Sequence, residues 1–456
     1  MQKIILLPVL ALLASCATYH AEPLAPDRML AAYEARNLND PHLRQYIATH
    51  SDRSDTGWTP DTLTLAAFYY STELDAARAR YSASQAAIES AGERPNPTLS
   101  LPTQYTAATS KPWTYGLALD IPIETAGKRG YRVAQAQQLS SAAQLAIGQA
   151  AWQVRSQLRT ALLDLFASHQ REDLLQRQVT LQQELLAMTE QRARLGEMAP
   201  TEANQQRMAL MRTENDLAAA HQSGLDARSR AAAAIGIPLP ALEAISPDFS
   251  QFERAAPAIP ADSVRRAAIL NRTDLRAALD DYEASQSALQ LEIARQYPNL
   301  SLGLGYSFDQ GQDKYSLTPG VVNLPLFNHN QGAIAQAEAQ RKEAAIKVEA
   351  LQEQAINAGA AALRNYDAAR HRLSLLDRLA ANQSAAREAD QRAFASGEMD
   401  RLALRQADLA ASLDALSRLD ARVQMQQALL QLENALQRPL QDNHRPLFTD
   451  SGDRRP

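Results

Sequence analysis

The 456-residue chain carries 45% hydrophobic but only 5% aromatic residues, and much of its apolar content is alanine. That composition suits long helices packed closely side by side better than a thick globular core. A formal net charge of −5, with no Lys/Arg block interleaved with aromatics, excludes a phosphate-tracking surface and argues against nucleic acid as a partner.

The N-terminus opens with Lys3, an apolar run from Ile4 to Leu13, and then Leu13-Ala14-Ser15-Cys16. The run is well short of the ~20 residues of a spanning helix, so residues 1–15 are expected to be a secretion signal. Cys16 is the single cysteine, which excludes disulfides and thiolate metal sites within one subunit. Leu13 to Cys16 resemble a lipobox. The resemblance implies that Cys16 becomes an acylated (palmitate-bearing) first residue. Ala17-Thr18 lack the aspartate that signals inner-membrane retention in such lipoproteins, which implies the outer membrane.

After residues 16–60, the chain is written twice. "PNPTLSL" at Pro95 answers "PNLSLGLGYSF" at Pro298, and Pro122 answers Pro325, both 203 residues apart. "RLGEM" ending at Met198 answers "ASGEM" ending at Met399, 201 residues apart. Repeat 1 (residues 61–236) is predicted to run as a helix over Asp61–Arg94, strands over Asn96–Thr106 and Trp113–Ile123, a long helix over Ala126–Leu195 and a return helix over Thr201–Ile235. Repeat 2 (262–438) follows the same plan: helix Asp262–Gln296, strands Asn299–Asp309 and Tyr315–Leu326, helix Gly332–Ser396 and helix Leu402–Arg438. A linker (237–261) and a tail (439–456) complete the chain. Proline and glycine punctuate both copies at matching places.

A helix of about 70 residues is a rod of roughly 105 Å, longer than any compact domain. Leucines and valines at three- and four-residue steps, among them Val154, Leu158, Leu162 and Leu165, supply an apolar stripe for neighbouring helices. The strands alternate differently. Trp113, Tyr115, Leu117, Leu119, Ile121 and Ile123 fall on one face of the second strand, and Leu300, Leu302, Leu304, Tyr306 and Phe308 on one face of the third. The first strand puts Leu99, Leu101 and Tyr105 on one side. At about ten or eleven residues each, the strands are long enough to cross a membrane at a tilt, with these apolar residues toward lipid. An open sheet edge cannot persist in hydrocarbon, and bacterial barrels start at about eight strands, so four strands per chain require several subunits to close.

The duplicated plan with a lipobox in front resembles the TolC family of outer-membrane efflux proteins. "IPIETAGKRGYRVAQAQ", "LPLFNHNQGAIAQAEAQ" and "LGEMAPTEANQQ" are most similar to its CzcC-like, cation-efflux branch. The resemblance implies a mainly α fold with a small β part and a homotrimer, forming a 12-stranded transmembrane barrel continued by a 12-helix periplasmic tunnel. It also implies an equatorial belt built from residues 17 to 60, the linker and the tail. The implied partners are outer-membrane lipid, a periplasmic adaptor (membrane fusion) protein and an inner-membrane efflux pump of the resistance-nodulation-division type. The implied cargo is metal cations or small toxic molecules. The other reading is a soluble or peripheral periplasmic coiled-coil adaptor, against which the alternating strands speak.

A duct conducts rather than catalyses, and no enzyme site, cofactor motif or metal site is expected. The eight histidines have no i, i+4 pair and no helpful carboxylate spacing, and His329 sits in a strand-to-helix joint. By resemblance, Leu195-Gly196 and Ser396-Gly397 are hairpin tips that meet the adaptor. Arg192, Arg194, Glu197 and Glu202 lie near one tip, and Glu398, Asp400, Arg401 and Arg405 near the other. Where family members carry gate aspartates, six and nine residues after the second tip glycine, this chain has Ala403 and Gln406. Glu202, Asp400 and Arg405 are therefore the expected gate contacts.

Overall fold

A computed structural model describes residues 18–51, 57–255, 257–322 and 324–440. The signal segment, Cys16 and the tail beyond residue 440 lie outside the described residues. Two short helices, α1 (Pro26–Glu34) and α2 (Pro41–His50), lead into α3 (Pro60–Tyr70) and α4 (Thr72–Gly92). The expected single helix over 61–94 is therefore two. Ser71 leaves the helical conformation, and its hydroxyl accepts from Leu74 N at 3.2 Å to cap α4. Repeat 2 breaks at the matching place, giving α9 (Ala261–Leu270) and α10 (Thr273–Ala294), where Gln437 Oε1 accepts from Thr273 N at 2.8 Å.

The sheet follows each of these helix pairs. Instead of one strand over 96–106 there are two short pieces, β1 (Thr98–Ser100) and β2 (Thr103–Tyr105), both antiparallel to β3 (Trp113–Ile123). They part at Leu101-Pro102, because proline has no N–H to donate; its carbonyl still accepts from Gly116 N at 2.9 Å. β3 pairs with β4 (Asn299–Asp309), and β4 with β5 (Gln312–Val322), so the sheet order is β1/β2, β3, β4, β5 with both outer edges unpaired. The expected fourth strand at 315–326 is shifted to 312–322. Gln310 (φ +50°) and Gly311 (φ +93°) form a two-residue turn that starts β5 early. Pro319 in β5 is tolerated because the strand is an edge.

The long hairpins descend from this sheet. In repeat 1 they are α5 (Lys128–Arg194) and α6 (Pro200–Ile235), and in repeat 2 α11 (Gln331–Ala395) and α12 (Arg401–Leu436). Two short helices in the link, α7 (Leu239–Glu243) and α8 (Ser250–Glu253), lie between repeats. Duplication is visible in the backbone itself. Left-handed residues recur at Gly127 and Asn330, at Gly196 and Gly397, and at Gly236 and Gln437. These are the starts of the long helices, their tips and the ends of the return helices.

α5 packs against α4 and α10 near the sheet and against α6 and α12 farther down. The main core lies at mid-height, where Leu158, Leu162, Leu163 and Phe166 of α5 meet Leu63 and Phe68 of α3 and Phe252 of α8. A second core joins α9, α11 and α12 around Tyr366, Met425, Leu429 and Leu432. No described helix is long and apolar enough to cross a membrane.

Candidate functional site

The sheet is two-faced. Because antiparallel partners share a side, the registers Leu117–Tyr306–Tyr315, Leu119–Leu304–Leu317 and Ile121–Leu302–Pro319 place one apolar row after another on a single face. Tyr115 stacks on Phe308 with ring centroids 5.2 Å apart, and Trp113 meets Tyr105 edge-on at 5.0 Å. These side chains cover no core of their own chain: Trp113 is 57% exposed, Tyr115 49%, Leu317 66% and Tyr315 82%. A contiguous apolar face of this kind marks a surface built for an apolar environment. The opposite face carries Thr98, Ser100, Thr114, Asp120, Ser316 and Thr318, with glycines between. Of the predicted lipid-facing residues, Trp113, Tyr115, Leu117, Leu119, Leu302, Leu304, Tyr306 and Phe308 all fall on the apolar face.

At the far end, both long helices stop in the same way. Gly196 and Gly397 take φ +79° and +81°, and Glu197 N and Glu398 N donate back to Arg192 O (2.9 Å) and Ala393 O (2.8 Å). The Gly196 and Gly397 amides close the inner bonds to Ala193 O and Phe394 O. Glycine is needed at each because a side chain resists a left-handed backbone. Leu195 is exposed beside the first turn and Ser396 beside the second, so both tips are open to a partner.

The three predicted gate residues do not contact one another within the chain. Asp400 caps α12, accepting from Ala403 N at 2.7 Å, and pairs with Arg192 of α5 at 2.8 Å. The cap bond, and then the guanidinium, hold its carboxyl below the usual aspartate range. Arg405 pairs with Glu184 of α5 at 2.8 Å and with Asp408 at 3.0 Å, and Arg387 of α11 reaches Asp408 at 2.8 Å. Glu202 lies exposed in the first turn of α6. Asp408, three residues after Arg405 on the same helix, was legible from spacing, whereas Glu184 of α5 and Arg387 of α11 were not, because only packing brings those helices to α12.

The histidines are less isolated than the spacing suggested. His221 of α6 lies 3.0 Å from Glu172 of α5, and His169 lies 3.8 Å from Asp173, so carboxylate partners do exist. Across the described residues, no three His, Cys, Asp or Glu side chains are grouped to hold a metal ion. His329 is exposed in the loop before α11.

Long antiparallel helical hairpins hung from a small sheet with a bare apolar face are the architecture of a membrane-inserted protein rather than of a soluble rod. A model of the outer membrane efflux protein family matches residues 69–237 and 264–437, and the chain belongs to that family. Among curated proteins, the cobalt-zinc-cadmium resistance protein CzcC of Cupriavidus metallidurans is similar at 26% identity over 278 residues, 59% of this chain. The match spans 64% of that relative's length. Among solved structures, the outer membrane protein VceC of Vibrio cholerae superposes with a TM-score of 0.67 at 19% identity, covering 83% of this chain and 95% of that one. CusC superposes with a TM-score of 0.66 at 17% identity, covering 85% and 95%. The Neisseria gonorrhoeae MtrE outer membrane channel, in its open state, gives 0.65 at 16% identity, covering 83% and 89%. These likenesses establish the fold.

Proposed function

We propose that the protein is the outer-membrane exit duct of a tripartite efflux system. It passively conducts cargo handed over by an inner-membrane pump of the resistance-nodulation-division type and a periplasmic adaptor. The observation that carries this reading is the sheet: four strand lengths with two unpaired edges and an exposed apolar face, continuous with helical rods of roughly 100 Å. Three copies supply twelve strands and twelve helical passes, and a closed barrel leaves no edge in lipid. Exposed Leu375, Leu379, Phe394 and Leu413 on α11 and α12 then face neighbouring copies. An acyl chain on Cys16 adds a lipid anchor, and the belt gathers α1, α2 and the link. The similarity to CzcC favours metal cations as cargo. The protein is not an enzyme in this reading, and the energy comes from the pump.

Native mass spectrometry in mild detergent tests the reading. A trimer that extracts from outer membranes only with detergent is expected; a lone subunit released by salt would remove it and restore the soluble-adaptor alternative.

In the same reading, Gly196 and Gly397 present the tips to the adaptor, while Asp400 and Arg405 hold the entrance shut by tying α12 to α5 through Arg192 and Glu184. Glu202 lies close enough to the first tip to add a charge to the ring that three copies create. Arg405→Ala combined with Glu202→Ala should raise single-channel conductance in planar bilayers. Unchanged conductance would dismiss this gate.

A further inference from the structure

The polar face of the sheet carries three ionised side chains among its described residues, and they are not equivalent. Asp309 accepts from Thr114 Oγ1 at 2.7 Å and from Lys314 Nζ at 2.6 Å, so its charge is matched on its own chain. Lys314 is used up in the same pair. The side chain of Asp120, in β3, makes neither a hydrogen bond nor an ion pair among the described residues, and the residue is exposed. One uncompensated negative charge therefore remains on this face of each chain.

Its surroundings leave that charge in the open. The register sets Asp120 between Thr98 and Gly303, with Thr318 next beyond. Neighbouring rows hold Ala118 and Gly305 on one side, and Pro122 and Gly320 on the other. A methyl group added at Gly305 would stand 2.5 Å from Ser316 Oγ, and one at Gly320 2.8 Å from Ser301 Oγ. Hydroxyls thus lie flat over the glycines and the wall is low. The Asp120 carboxylate leans over Gly303, where an added Cβ would lie 3.8 Å from its Oδ1, and stays exposed in a row that holds Thr98 and Thr318.

We propose that Asp120 is the selectivity determinant of the pore wall: three copies form a carboxylate collar that attracts hydrated cations and repels anions near the helical end of the barrel. This rests on the duct reading above. A low-dielectric wall strengthens the field of such a ring, while the hydroxyls offer a passing cation a partial replacement for its water.

The test is the reversal potential of the purified trimer in planar bilayers under a KCl gradient. Wild type should prefer K+ over Cl−. Asp120→Asn, which is isosteric, should cut the K+/Cl− permeability ratio about fivefold, the factor for one carboxylate acting on a cation at contact distance in water. Asp120→Lys should turn the preference toward anions. Asp313→Asn, on the opposite face where its carboxylate accepts from Tyr306 Oη at 2.7 Å, should change nothing. Asp120→Cys should react in the bilayer with a charged, water-soluble methanethiosulfonate, with the wild type, whose one cysteine is Cys16, as the control. A conducting trimer whose selectivity ignores both the Asn and the Lys substitution, or in which the thiol introduced by Asp120→Cys is shielded from the reagent, overturns the collar. A wild-type protein that never conducts removes the duct reading, and the collar with it.

Discussion

Around residue 433 of α12, helices α5 and α12 meet where Leu430 joins the core of Leu158 and Leu162, all nearly or fully buried, and through a sealed ion pair. Arg155 (2% exposed) holds Glu433 (1%) at 3.0 Å. Arg155 also lies over the Trp152 ring at 4.7 Å, and Trp152 Nε1 donates to Asn434 at 3.1 Å. Nearer the tip the same two helices meet through Arg171 with Asp420, Arg405 with Glu184, and Arg192 with Asp400, all partly exposed. There α12 buries little beyond Leu402 and Asp408. One end of the contact is fixed by burial, where removing one partner leaves an unmatched charge. The other is held by the partly exposed pairs Arg171–Asp420 and Arg192–Asp400, which exchange with water, although the meeting atoms of Arg405 and Glu184 are themselves covered. The proposed opening at the tip, with the middle left intact, would draw on this gradient.

Breaking the fixed end should have the largest effect. Burial already pulls the Arg155 guanidinium below its ordinary pKa, and Glu433→Leu, which strands it, should cost about 3–5 kcal/mol, read as a lower denaturant midpoint of the purified protein. Leu304→Arg, mid-strand on the apolar face, should cost about 2–4 kcal/mol in a bilayer and far less in water, a contrast that refolding into vesicles measures directly. Gly196→Ala or Gly397→Ala should cost roughly 1–2 kcal/mol each through the left-handed backbone alone, since a Cβ at either meets nothing within 4 Å. Arg192→Ala should fall at the small end, under about 1 kcal/mol, while changing conductance more than melting. Acid should sharpen the same contrast. Asp400 has a depressed pKa, so its contribution is complete above the ordinary aspartate value near 4 and fades as pH falls through the lower, folded value. Conductance should rise there, and Asp400→Asn should remove that pH response.

The repeat, the long helices and the two central strands were legible because each rests on a period: 3.6 for the rods, two for Trp113–Ile123 and Asn299–Asp309, and about 200 residues for the duplication. Failures came where a single residue overrides a period. Ser71 caps a helix that composition alone would continue, Pro102 splits a strand, and Gln310-Gly311 starts β5 three residues before its alternation becomes visible. The tip glycines were legible for the opposite reason, since a left-handed end advertises itself. The ion pairs between helices were not, because Arg405 finds Glu184 more than 200 residues away, a distance that nothing local encodes.

The two strand connections of one subunit are unequal. β2 reaches β3 through residues 106–112, whereas β4 turns into β5 in two residues, with the Lys111 side chain laid against Gly311. In the proposed trimer, the cell exterior would show three broad flaps alternating with three bare corners. Antibodies or phage fibres approaching from the medium would grip only the flaps, and a surface epitope inserted near Thr109 would be displayed without disturbing the strands beneath.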